Sequence, residues 1–336
     1  MKNMKIKIKK SSLRCGLLKQ NNTTARYIAI TLSILAMNAC SDFVEIDPPK
    51  NTLIAETVFE EPETVEAALA NVYFKMRDQG MLSGNFGLGI LMGSYADELD
   101  YYSSNPEYSK IYNHGIINTN ATALEWWTHA YNIIYAVNDI IQGVENSSVL
   151  SSAQKNEYKG QALFVRALMH SLLVGIYGNV PYITTTNYVE NNRISRMSED
   201  KAYAHVIDDL SEAIGLLGDT YISGERVIPN RWVAKALLAR VYLYTENWEL
   251  AESTASEVLD GFDLETDVTK VFLKESSEAI WQFKPDDYPR NNANEASWLI
   301  IRMIPGQNYA VTDELMATFE EGDLRLVNWV SSFTSE

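Results

Sequence analysis

The sequence predicts an all-α fold of paired helices, stacked as an α/α superhelix, with long irregular loops and at most a minor strand pairing. Three observations predict it. Apolar residues recur at i, i+3, i+4 and i+7 through successive segments between residues 61 and 260. Capping residues or Pro open several of these segments, and Gly178 with Pro181 closes the longest. Ala279–Phe283 reads as the best short strand, with one or two strands at most in the chain.

The elements follow in order. Glu61-Pro62-Glu63 opens a first helix, with Val65, Ala68, Leu69, Val72, Tyr73 and Met76 as its stripe to about Arg77. Gln79–Ser109, rich in Gly, Tyr, Ser and Asn, reads as a long loop, and Gly84–Gly93 within it as turn chemistry. Leu124–Val144 is a second helix with Trp127, Tyr131, Ile134, Val137, Asn138 and Ile141 along one face. Ser151 or Ser152 caps a third, which runs to Tyr177; its second half is apolar nearly all round and is expected to be buried on most sides. Ser198-Glu199-Asp200 opens a fourth helix with Ala202, Val206, Leu210, Ile214 and Leu217 inward. Pro229–Tyr244 and Trp248–Asp260 are the fifth and sixth, and Asp313–Glu320 is a last short helix.

The fifth and sixth helices carry a repeat signal. Leu238-Ala239, Tyr242, Asn247-Trp248 and Ala251 resemble a tetratricopeptide unit, in which small residues let two helices approach and aromatics fill the groove. Trp127, Tyr131, Trp232, Tyr242 and Trp248 are accordingly assigned to core packing.

Charge excludes one class of partner. Residues 1–39 hold eight basic side chains and no acidic ones, leaving 20 basic against 44 acidic side chains in residues 40–336. A body that acidic repels nucleic acid. The basic stretch leads into Tyr27–Ala39, 13 mostly apolar residues, which suits an export-signal core and falls short of a membrane span. Cys40 follows a small residue at the end of that core, which is the lipoprotein pattern, and is the only cysteine after the signal. Residues 1–39 are therefore read as a signal peptide and 40–60 as a lipidated cysteine with an acidic, Pro-stiffened tether.

Four ordered stretches carry a family resemblance. They are Lys159–Leu168 continuing through Tyr177–Tyr182, Arg196–Leu210, Trp232–Tyr244, and Leu315–Arg325. Together with the lipoprotein signal they resemble the SusD/RagB family of outer-membrane nutrient-binding lipoproteins. The resemblance implies tetratricopeptide-like helix pairs over residues 61–336 and a lipid-anchored, surface-exposed location. It also implies a glycan or peptide ligand, a SusC-like TonB-dependent transporter as partner, and neither catalysis nor a cofactor. Two departures are visible. The family usually has Glu where Gln161 stands, so an ion pair there becomes a hydrogen bond. Its members also usually run longer, so a closing helix pair is expected to be missing from this chain.

The search for catalytic chemistry yields little. The four histidines, His114, His129, His170 and His205, show no metal-ligand spacing, and His170 and His205 sit on helices, where they read as satisfied core or surface residues. Acids cluster at Asp97, Glu98 and Asp100 and at Asp286-Asp287, which keeps a helical-toroid glycosidase open as an alternative. A protein-binding scaffold is the other. Loop aromatics beside amides are the better lead, because sugar faces stack on Tyr and Trp. The candidate ligand residues are Asp97, Tyr101, Tyr102 and Asn105 in the first long loop, and Tyr288, Asn291, Trp298 and Arg302 in the second, with Tyr108 and Tyr309 nearby.

Overall fold

The computed structural model describes residues 58–79, 81–84, 86–285, 295–300 and 306–334. The segment read as an export signal and Cys40 lie outside them, as do Tyr288, Asn291 and Arg302. Twelve helices and one two-stranded antiparallel ribbon occur among the described residues. The long helices are α1 (Pro62–Asp78), α4 (Ala121–Asn146), α5 (Ser152–Tyr177), α7 (Glu199–Leu216), α8 (Arg231–Tyr244) and α9 (Trp248–Leu259). Between them lie the shorter α2 (Leu88–Tyr95), α3 (Pro106–Tyr112) and α6 (Tyr188–Asn191). Strands β1 (Leu99–Tyr101) and β2 (Tyr309–Val311) pair with Leu99 opposite Val311. Helices α10 (Ala296–Leu299), α11 (Asp313–Met316) and α12 (Leu324–Trp329) complete the set.

The long helices stack in sequence. Helix α1 packs on α4, α4 on α5, α5 on α7, α7 on α8 and α8 on α9, giving the tetratricopeptide-like superhelix. Helix α5 is the centre, with Ala162, Val165, Ala167, Met169 and Leu173 all fully buried. It is long and apolar enough to cross a membrane by composition, but most of its surface is inside the protein, which accounts for the apolarity. Ser151 and Gln154 form a reciprocal capping box at its start. Gly178 ends it at φ 67°, a conformation that favours glycine. At Gly160 a Cβ would come within 2.7 Å of Leu217, so glycine there sets the close approach of α5 to the end of α7.

A buried polar network crosses this stack. Arg166 of α5 donates from Nε and Nη2 to the two carboxylate oxygens of Asp209 on α7, at 2.7 and 2.6 Å, and from Nη1 to Asn138 of α4 at 2.9 Å. Tyr182 donates its hydroxyl to Asp209 at 2.6 Å and stacks on His170 at 3.8 Å between ring centres. Asn138 donates to the Ile183 carbonyl. The His170 Nδ1–H donates to the Arg166 carbonyl at 3.0 Å, since a carbonyl only accepts, which leaves Nε2 to accept from Ile183 N–H at 3.1 Å. Of the core and surface roles the sequence left open for it, His170 takes the core one. Gln161 accepts from the Tyr73 hydroxyl and donates to Glu157, hydrogen bonds in place of an ion pair.

Several expectations are corrected. Ala279–Phe283 is not a strand. Its backbone bonds are scattered rather than laddered: Gln282 N–H donates to the Arg226 carbonyl, Ala279 N–H to the Ser276 carbonyl, and the Ala279 and Ile280 carbonyls accept from the Arg226 and Tyr221 side chains, while Trp281 packs on Phe164 of α5 at 5.4 Å; the β-favouring residues reflect packing, not a ladder. Gln79–Ser109 contains α2, β1 and the start of α3. Its apolar run was hidden by glycines, yet Ile90 and Leu91 are core. On α4 the buried ring is Trp126, not Trp127, and its indole N–H donates to the Phe86 carbonyl. The last segment is two short helices, α11 and α12, rather than one.

Trp248 is also corrected: it is 58% exposed, because α9 has a helix layer on one side only and buries Ala251 and Val258 instead. Trp248→Ala should therefore cost under about 1 kcal/mol, against the roughly 3–5 of a core tryptophan. A shift in urea midpoint as large as that of Trp126→Ala would show this placement to be wrong.

Candidate functional site

The ribbon gathers the first group of candidate residues. Asn105 caps α3, its Oδ1 accepting from Glu107 N–H at 2.9 Å and Tyr108 N–H at 3.4 Å. That cap fixes where Tyr108 and Tyr112 project from α3. Tyr101 on β1 then meets Tyr108 and Tyr112 at 6.3 Å between ring centres and Tyr309 of β2 at 5.4 Å. Tyr309 is 1% exposed and anchors the cluster. The Tyr101 hydroxyl accepts from Asn105 N–H at 3.0 Å.

Asp100 organises the edge of this platform. It accepts from the Tyr112 hydroxyl at 3.0 Å and the Tyr102 hydroxyl at 3.2 Å. Both phenols are raised above their ordinary pKa. For Tyr112 the hydrogen bond to Asp100 leads; for Tyr102 partial burial leads and Asp100 follows. They remain protonated donors at neutral pH. Tyr102 is 57% exposed, so its hydroxyl is tethered while most of the ring faces solvent.

Asp97 sits at φ 58°, a left-handed conformation that is strained for a residue with a Cβ. Two contacts hold it. Its carbonyl accepts from the Thr312 hydroxyl at 2.9 Å, and its carboxylate lies 3.4 Å from His114 Nε2. Thr312 follows β2, so the ribbon itself fixes this corner. Helix α10 packs beside β2 and carries Trp298, which is 36% exposed. Glu295, at the start of that turn, accepts from Ser83 and from Gly84 N–H, tying α10 to the segment before α2.

The structure therefore brings Asp97, Tyr101, Tyr102 and Asn105 onto one ribbon edge, with Trp298 on the adjoining turn. Two roles differ from the sequence reading. Tyr101 is half-buried among three rings rather than exposed, and the Asn105 carbonyl oxygen is committed to a helix cap. Asp100 and Tyr112 as hydrogen-bond anchors were missed. The alternation Asp100-Tyr101-Tyr102 beside Asn105-Pro106 was the available signal for a strand and a capped turn. Nothing local pointed to Tyr309 as the base of the cluster, since it comes from the other strand. Among the described residues no group of three His, Cys, Asp or Glu side chains gathers at metal-holding distance.

Similar proteins share this architecture. A SusD superfamily protein of Bacteroides fragilis superposes with a TM-score of 0.65 at 24% identity, covering 76% of this chain and 62% of that one. A SusD-like carbohydrate-binding protein of Bacteroides vulgatus gives a TM-score of 0.58 at 21% identity, covering 66% and 50%. A SusD-like protein of Formosa agariphila is 29% identical over 245 residues, 70% of this chain and 47% of its own length. One from Bacteroides ovatus is 24% identical over 300 residues, 84% and 50%. The chain spans about half the length of these sequence relatives. Residues 42–243 match the family described as starch-binding and associating with the outer membrane. With the stacked helix pairs and the matched residues taken together, the chain belongs to the SusD-like family.

Proposed function

We propose that the chain is a surface-exposed, lipid-anchored binding protein that captures a glycan on the ribbon platform and delivers it to a SusC-like TonB-dependent transporter. The observation that carries the glycan reading is the pairing of two exposed rings, Tyr102 and Trp298, with the polar edge at Asp97 and Asp100, on a SusD-like scaffold. Rings stack on sugar faces while carboxylates accept hydroxyls. Because the Tyr102 hydroxyl is already held, little side-chain freedom is lost on docking. Binding without chemistry is the role assigned, with several modest contacts that allow release to the transporter.

Calorimetry with malto-oligosaccharides and a wider glycan panel tests this. Tyr102→Ala and Trp298→Ala should each weaken binding about 5–30-fold, on the order of 1–2 kcal/mol, with the melting temperature unmoved. Tyr101→Ala should lower the melting temperature, because its ring is wedged among three others. Binding of peptides and of no glycan would overturn the ligand class. Release of reducing ends, abolished by Asp97→Asn, would overturn the binding reading in favour of a glycosidase.

The anchor is tested separately. Cys40→Ala should free the protein from the outer membrane or leave the precursor unprocessed. Unchanged membrane partitioning and surface labelling of that variant would remove the anchor from the proposal.

A further inference from the structure

On the far side of Tyr95, which packs on His114 at the ribbon corner, the last turns of α5 form the floor of a groove. One hollow, about 690 Å³, lies between α4 and the end of α5 and has Ile116, Ile117 and Trp127 on its wall. A second, about 380 Å³, lies between α5 and α8 and has Leu237 and Tyr244 on its wall. They share Gly175 and Ile176, and α2 borders both, through Met92 and Leu88 respectively. The two hollows therefore adjoin at Gly175 and Ile176.

Gly175 is an exposed glycine inside a 26-residue helix, where glycine is weaker than alanine. It is not among the positive-φ glycines, and no heavy atom lies within 4 Å of where its Cβ would stand. Neither backbone conformation nor packing asks for glycine here. What its absent side chain provides is open space where the two hollows adjoin.

The lining has an unusual charge. Across both hollows it holds Arg196 and Arg240 and no carboxylate, in a chain with 44 acidic and 28 basic side chains. Arg196 lies over the Trp127 ring at 5.6 Å. Among the described residues neither guanidinium has a hydrogen bond or ion pair, whereas Arg166, Arg231 and Arg325 each hold an aspartate. Three polar groups of the lining are engaged within the protein. Asn120 bonds Ala123 N–H and the Glu107 carbonyl, Ser171 bonds the Leu168 carbonyl, and Tyr177 bonds the Ala123 carbonyl. The rest of the lining mixes aliphatic side chains such as Ile116, Ile117 and Leu237 with the rings of Tyr95, Trp127 and Tyr244. Apolar side chains flanked by carboxylates would find both their complements.

We propose that this groove docks an acidic polypeptide segment of a separate chain, its apolar side chains lying across Gly175 and its carboxylates on Arg196 and Arg240. The test is phage display of random 16-residue peptides on the immobilised full-length chain, counter-selected on Gly175→Trp and Gly175→Leu. Circular dichroism establishes that these variants fold, and Gly175→Ala should melt at or above the parent temperature. The expected survivors combine spaced Leu, Ile or Phe with Asp or Glu. A synthetic copy of the dominant survivor should bind the parent chain and weaken about tenfold for Arg196→Gln and again for Arg240→Gln. Malto-oligosaccharide binding should be the same in all these variants, which separates this site from the ribbon platform. Survivors lacking acids, affinities indifferent to both arginines, or no survivor sensitive to Gly175 would each overturn the proposal. So would an oligogalacturonate that binds the parent and is lost in Gly175→Leu, which would make the groove a glycan site.

Discussion

Asp209→Asn should lower the folding free energy by about 3–5 kcal/mol, because it removes the counter-charge of a buried guanidinium and leaves its shape in place. Arg166 and Asp209 side chains are each 9% exposed, and both ends of the fork are occupied. Restoring a neutral pair tests the cause. Arg166→Met with Asp209→Leu removes both charges, and buried pairs replaced this way often regain stability. Here the recovery should be partial. Tyr182 and Asn138 would each lose a partner, and a buried unsatisfied group costs about 1–3 kcal/mol. The ordering expected in urea denaturation is parent, then double variant, then Asp209→Asn. An Asp209→Asn midpoint equal to that of the parent would show the pair to be exposed in solution.

The same network explains how much of the fold was legible. Two of the four stretches that carry the family resemblance meet in it: Arg166 and Tyr182 come from the first, and Asp209 from the second. Long helices with strong periodicity and side-chain caps were found to within a few residues, as at Ser151–Tyr177. Short elements stabilised from afar were not. Helix α2 has no side-chain cap and owes its form to burial of Ile90 and Leu91. Strands β1 and β2 are three residues each and exist only as a pair. Trp248 was misplaced for a related reason: periodicity shows which residues share a face but not whether another helix covers it. At the candidate site, residue types were readable and their division of labour was not. Asn105 and Tyr101 look like ligand contacts in sequence, and the structure spends part of each on holding α3 to the ribbon.

His170 should make the protein acid-sensitive well above the usual carboxylate range. Burial pulls its pKa down to about 3, with the Arg166 and His205 charges adding to the effect against the backbone hydrogen bond to Arg166. In the unfolded chain a histidine titrates near 6.5. The native state therefore refuses a proton that the unfolded state accepts below that pH, so stability is full above about 6.5 and is lost as pH falls toward 3. Between pH 7 and pH 5 the loss from this one group should be about 2 kcal/mol. Protonation would also put a hydrogen on Nε2, which must accept from Ile183 N–H, and would set a second cation beside Arg166. His170→Gln offers a donor and an acceptor without titrating in this range, so its urea midpoint should change less between pH 7 and pH 5 than that of the parent. The direct measurement is the His170 ring proton shift, which should stay flat down to pH 5. A titration of that ring near pH 6, or equal slopes for parent and variant, would mean that water reaches His170 and that the stack of α4, α5 and α7 is looser than its geometry.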